Sequence, residues 1–130
     1  MMSAEIKLKY NWRRLPNDPE TLFHGDDGDR RMGRVQKAVT GEYWLWFMNF
    51  QHGINDPKVA VTLNGGAETG RQAAAACERC YEAVLDATWP GMTPALRDRL
   101  LAHEKEMKDR KEQWAREDAM RRRQSLRVVS

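Results

Sequence analysis

The alternation of apolar and polar positions breaks down over Glu42–Phe50, where nine residues carry five aromatics together with Leu45 and Met48. Aromatic side chains suit a pleated surface, and the run has no Pro and no internal Gly, so it predicts a strand. Side chains alternate across a strand. Trp44, Trp46, Met48 and Phe50 then share one face, and Tyr43, Leu45, Phe47 and Asn49 the other. Both faces are mostly apolar, whereas a strand covered on one side alternates more cleanly. The second face is either covered by the C-terminal helix or a second subunit, or it is a binding surface.

Upstream, Ile6, Leu8, Tyr10 and Trp12 alternate with Lys7, Lys9 and Asn11, which predicts a strand with one wet face. Leu15–Pro19 holds two prolines and an Asn-Asp pair, a turn. Leu22 and Phe23 begin a short strand, and His24–Asp29 is a turn rich in Gly and Asp. Arg30–Val39 has weaker strand character. Thr40-Gly41 joins it to the aromatic strand as a hairpin. Residues 51–58 read as a loop, Val59, Val61 and Leu63 as a further strand, and Asn64-Gly65-Gly66 as turn chemistry.

Thr69-Gly70-Arg71-Gln72 has the capping-box pattern, so a helix starts there and runs to about Thr88. Ala73, Ala76, Cys77, Cys80, Tyr81, Val84 and Leu85 recur at spacings of three and four, an amphipathic face. Its small side chains leave room for Trp44 and Trp46, which argues for packing this Ala-rich helix on the aromatic strand. Trp89-Pro90-Gly91 breaks the helix. Thr93-Pro94 starts another that nothing stops before about Gln124, roughly 45 Å at 1.5 Å per residue. Its seam is Leu96, Leu100, Met107 and Trp114, with Leu101 and His103 beside it. Glu104–Lys108, Glu106–Arg110, Glu112–Arg116, Glu117–Arg121 and Asp118–Arg122 are acid-first pairs four apart, which support an exposed helix.

The expected fold is α+β: a three- or four-stranded antiparallel sheet packed on the Ala-rich helix, followed by a long charged C-terminal helix. Residues 1–92 form the sheet-plus-helix domain and 93–130 the helical extension. The 130 residues are 41% hydrophobic and 32% charged, enough to bury a core without disulfides. With no bilayer-length apolar run and no secretion signal, no membrane is expected and the location is cytoplasmic. The net charge of +3 is uneven. Residues 1–96 hold eleven Lys/Arg against twelve Asp/Glu, and residues 97–130 eleven against seven.

Cys77 and Cys80 have the Cys-x-x-Cys spacing, but no second ligand pair accompanies them, and they sit mid-helix on the apolar face. They read as buried structural cysteines. The cluster Asp26, Asp27 and Asp29 lacks the calcium-loop pattern and reads as a solvated turn. The glycines form no phosphate-binding fingerprint, and no nucleophile setting is present. No catalytic residue, metal or cofactor is expected. The basic residues carry more information. Arg30, Arg31, Arg34 and Lys37 precede the aromatic strand, while Arg121, Arg122, Arg123 and Arg127 end the long helix. The aromatic strand has no basic residue of its own between Tyr43 and Phe50. These cations either neutralise phosphates beside stacking rings, or are a solvated strand face and favourable charges at a helix C-terminus. The candidate contact residues are Arg30, Arg31, Arg34, Lys37, Tyr43, Phe47, Trp114, Arg121, Arg122 and Arg123.

Gly33-Arg34-Val35, Trp44-x-Trp46, Gly66-Ala67-x-Thr69 and the Ala-rich helix together resemble a group of small uncharacterised proteins from alphaproteobacteria and their phages. That resemblance implies a compact sheet-plus-helix unit. Residues 33–88 are more loosely similar to the three-strands-then-helix DNA-binding domains of plant ethylene-responsive factors and integrase arms. Those lay the open sheet face in the major groove, and Arg34, Trp44 and Trp46 match their contact positions. The expected function is non-catalytic binding by a phage- or mobile-element-type protein. Its partner is a protein or nucleoprotein complex, inhibited in the anti-CRISPR manner. The alternatives are a direct DNA- or RNA-binding module using the sheet face and basic helix, and a structural homo-oligomer.

Overall fold

The computed structural model describes residues 6–17, 19–54, 58, 59 and 61–129. Its strands are β1 (Asn11–Arg13), β2 (Leu22–Asp27), β3 (Arg30–Lys37), β4 (Trp44–Met48) and β5 (Asn64–Ala67). A 3₁₀ turn, Asn49–Gly53, follows β4, and the helices are α1 (Gly70–Leu85) and α2 (Pro94–Val129). The sheet is antiparallel throughout, in the order β1-β2-β3-β4-β5. The α+β architecture is as expected, with one strand more than four.

The extra strand is the stretch expected to be a turn. Gly65 pairs with Trp46 and Gly66 with Leu45, so Asn64–Ala67 is the edge strand beside β4. Glycine belongs there for a packing reason. A Cβ on Gly65 would stand 2.8 Å from Trp46 Nε1, so the indole lies directly against the bare backbone. Val59, Val61 and Leu63, expected to be a strand, are not in one. Val61 and Leu63 are buried nonetheless. Gln51 Oε1 accepts from the Leu63 N–H at 2.7 Å, and the Leu63 carbonyl accepts from Met48 N–H at 2.8 Å. The apolar alternation marked core positions; the donors and acceptors went to the 3₁₀ turn and to β4. Asn55, Asp56 and Pro57 of the expected loop, Ala60, and Asp18 of the first turn lie outside the described residues.

Two further differences have the same origin. His24–Asp27, expected to be a turn, belongs to β2, and only Gly28 and Asp29 turn the chain into β3. Phe50 leaves the aromatic strand because the 3₁₀ turn begins at Asn49, yet it stays in the core, its ring stacked 6.1 Å from Tyr81.

The N-terminal alternation holds, but only Asn11–Arg13 pairs as strand. The preceding backbone donors go to a helix instead. The Glu78 carboxylate, buried in α1, accepts from Lys9 N at 3.0 Å and Tyr10 N at 3.0 Å, and from Trp12 Nε1 at 2.9 Å. One side chain therefore straps the first described residues to α1.

The helix α1 starts at the expected capping box, with Thr69 Oγ1 accepting from Gln72 N and Gln72 Oε1 accepting from Thr69 N. It stops three residues before the expected Thr88. Ala87 takes a left-handed conformation, φ 56°, and the Thr88 N–H reaches back to the Ala83 carbonyl while the Ala87 N–H reaches Val84. This closure usually uses glycine, and no glycine marks it here. Ala73, Ala74, Cys77 and Tyr81 bury one face of α1 against Val35, Trp46 and Met48. Only the first turns of α2 join that core. Leu100 is buried, Leu96 and Leu101 are half-buried, and Met107 and Trp114 of the expected seam are exposed.

Removing the Glu78 carboxylate leaves two backbone N–H groups and an indole N–H short of an acceptor. Glu78→Ala is expected to lower unfolding free energy by about 3 kcal/mol, and Glu78→Gln, which keeps one acceptor, by less. Urea denaturation of the three proteins measures the difference.

Candidate binding surface

The strand register decides which residues share a face. Val35 opposes Trp46, Gly33 opposes Met48 and Phe23 opposes Val35, and this face lies under α1. Arg34 opposes both Phe47 and His24, and Gln36 opposes Leu45. Among the described residues, neither helix packs across that second face: α1 lies on the other, and α2 meets the 3₁₀ turn. Of the three positions matched to groove-reading domains, only Arg34 is therefore on the uncovered side, because Trp44 and Trp46 turn toward α1.

Arg34 is exposed, and its guanidinium stands 4.8 Å from the centre of the Phe47 ring. The strand lacks a cation of its own, and its neighbour supplies one through the register. Beside this pair, Arg31 Nε donates to Asp26 Oδ1 at 2.8 Å, and Arg13 Nε donates to Asp26 Oδ2 at 2.8 Å. Arg31 Nη1 also donates to His24 Nδ1 at 2.7 Å. One carboxylate thus holds two guanidiniums, leaving a net positive charge. Partial burial works to raise the Asp26 pKa. The hydrogen bonds from Arg31 and Arg13, with their charges, outweigh it and hold the carboxyl below its ordinary range. Asp26 is accordingly a structural anchor rather than part of a solvated turn. Asp27 also has a partner, accepting from the Tyr81 hydroxyl at 2.6 Å. Burial, chiefly, and this bond push the Tyr81 phenol up to about 12, although Arg30 acts against them.

The sequence-derived candidates divide. Arg31, Arg34 and Phe47 lie together on the bare face and line a hollow of about 300 Å³ with His24, Asn49 and Gln51. Arg30 does not join them. It bridges to Glu104 of α2 at 3.0 Å and donates to the Tyr81 hydroxyl, tying α2 to the core. Lys37, at the far end of β3, opposes Trp44 and so follows the α1-side parity. Tyr43 precedes β4 and is 43% exposed. Arg121, Arg122 and Arg123 stand on α2 about 25 Å beyond Glu104 at 1.5 Å per residue. They are not brought to the sheet, and Arg122 pairs with Asp118 at 3.2 Å. The four cations of β3 do not share a face because the strand alternates and its pairing with β2 shifts at Gly25/Asp26.

Trp114 does come within range of the bare face. A second hollow of about 680 Å³ is lined by Arg31 and Asn49 on the sheet side and by Glu104, Met107, Lys108, Arg110, Lys111 and Trp114 on α2. It shares Arg31 and Asn49 with the first, as does a third hollow lined also by Asp27, Asp29, Glu104 and Lys108, so the three form one groove. Lys108 and Lys111 were missed in the sequence, although 108, 111 and 114 fall at helical spacing of three. The pairing of Glu104 with Lys108 was expected, but Glu104 turns to Arg30 instead. Lys108 and Lys111 enter no ion pair among the described residues, whereas Glu106–Arg110 and Glu112–Arg116 do pair along the helix.

Cys77 and Cys80 are free thiols in the core. Burial raises both pKa values, Cys80 to about 12. Among the described residues no three His, Cys, Asp or Glu side chains converge as a metal site requires, and no helix is long and apolar enough to cross a membrane. Beside the carboxylates of Asp27, Asp29 and Glu104, the groove presents cations, side-chain amides and ring faces. No family model, no curated protein and no solved structure matches this chain.

A carboxylate with a lowered folded pKa contributes stability above its unfolded pKa of about 3.9. That contribution is lost as pH falls through the folded value. Asp26→Asn should therefore be less stable than wild type near neutrality, with the gap closing as pH drops below about 4; urea midpoints across that range measure it. Both thiols should resist an aromatic disulfide reagent in the folded protein and react promptly in denaturant, as absorbance at neutral pH will report.

Proposed function

We propose that the protein is a non-catalytic binding protein that acts on nucleic acid, alone or within a nucleoprotein complex. Its working surface is the bare sheet face and the adjoining side of α2. The observation that carries this reading is Arg34. It is exposed, enters no ion pair among the described residues and is stacked on Phe47. Arg31 lines the same hollow, and Lys108 and Lys111 line the adjoining one with it; Asp26 and Glu104 nearby already hold guanidiniums. Cations left over after internal pairing are those able to neutralise phosphates and release counterions.

A second reading, a protein partner such as a host defence complex inhibited in the anti-CRISPR manner, is favoured by Trp114, which is 75% exposed beside exposed Met107. An aromatic anchor ringed by charge often centres a protein interface. Mobility shift at about 50 and about 200 mM salt distinguishes the readings. Nucleic-acid binding should weaken steeply with salt. Arg34→Ala should flatten the slope of log K against log salt by roughly 0.7 to 0.9, one phosphate contact, while Lys37→Ala leaves it unchanged. No shift at the lower salt would reject the nucleic-acid reading and leave the protein partner.

A further inference from the structure

We infer that the groove between the bare sheet face and α2 takes a single strand rather than a duplex, with Trp114 as a base-stacking platform. This rests on the nucleic-acid reading above and adds the form of the ligand and its path. Beside the carboxylates of Asp27, Asp29 and Glu104, two of which are taken by Tyr81 and Arg30, two kinds of group in the groove suit a nucleic-acid strand. Arg31, Arg34, Lys108 and Lys111 are cations that suit a phosphate backbone. Trp114, and Phe47 beneath the Arg34 guanidinium, are flat surfaces. Bases in a duplex are stacked on one another and offer these surfaces nothing, whereas a single strand offers both its phosphates and its base faces. The outer plane of the Arg34 guanidinium, already lying over a ring, is a second place for a base to stack.

The shape agrees. The helix α2 leaves the core after Leu101 and Glu104, and Met107, Lys108, Lys111 and Trp114 form one wall of the groove opposite Arg31 and Asn49. A strand lying between these walls would meet cations and ring faces together. The electrostatics agree as well. Glu104 is taken by Arg30 at 3.0 Å and Glu106 by Arg110 at 2.6 Å. Glu112, next to Lys111, pairs with Arg116 at 4.0 Å, so three acids of this stretch are held by arginines rather than by the two lysines. Trp114 is 75% exposed, so its ring is open to a ligand.

Fluorescence anisotropy with labelled single-stranded DNA, single-stranded RNA and duplex DNA tests this in the full chain, with heparin as a polyanion that has no bases. The single strands should bind more tightly than the duplex at equal salt. Whether DNA or RNA binds better identifies the natural strand. Trp114→Ala should weaken single-strand binding about 5-fold to 100-fold, leave heparin binding unchanged, and be largely rescued by Trp114→Phe. Lys108→Ala and Lys111→Ala should each reduce the single-strand salt slope by about 0.7. Trp114 lies on an exposed helix surface, so circular dichroism should show all variants folded. Duplex bound as tightly as single strand, or Trp114→Ala binding like wild type, overturns the single-strand assignment while leaving a polyanion surface standing. No binding of any nucleic acid at low salt overturns both, leaving a protein partner for the same groove.

Discussion

The close approach of α1 to the centre of the sheet is the constraint on which the rest depends. A Cβ on Gly33 would stand 2.5 Å from Cys77 Sγ and 2.6 Å from the Phe47 carbonyl, so helix and sheet touch there without a side chain between them. Such contact requires small residues on both partners, and Ala73, Ala74 and Cys77 supply them from the helix. Once α1 is seated there, Trp46, Met48 and Val35 are buried, and Arg34, Gln36, Leu45 and Phe47, of opposite parity, face away. The bare face is a consequence of where the helix can fit.

Charge is distributed by the same geometry. A helix read in isolation pairs Glu104 with Lys108, four residues on. In the fold, Glu104 is drawn to Arg30, whose guanidinium sits at the junction of β3, Tyr81 and α2. This exchange fastens α2 to the core and at the same moment releases a lysine onto the groove. Asp26 acts similarly for the sheet, holding Arg13 and Arg31 side by side where two like charges would otherwise repel. Internal ion pairs thus decide which cations remain for a partner, a selection that counting basic residues cannot make.

The helix α2 is stabilised differently along its length. Its first turns are held by Leu100 and the Arg30 bridge. From Lys105 to Leu126 the side chains are exposed, and what supports the helix is good propensity together with acid–base pairs such as Glu106–Arg110 and Asp118–Arg122. A helix with no core of its own leaves the Trp114 ring exposed beside the groove and the arginines at 121–123 too far along to serve the sheet.

Much of this was legible in the chain alone. The β3–β4 hairpin, the capping box at Thr69, the Ala-rich face of α1, the burial of both cysteines and the long charged helix follow from spacing and side-chain chemistry, which are local properties. The edge strand at Asn64–Ala67 was hidden, because turn residues there answer a long-range demand, the space needed by the Trp46 indole. The end of α1 was hidden because an alanine occupies the left-handed position that glycine usually marks. The face left open and the cations left unpaired were decided only in three dimensions, since both depend on contacts between residues distant in sequence: Cys77 with Gly33, and Glu104 with Arg30. Periodicity tells which residues share a side of an element, and only packing tells which side another element claims.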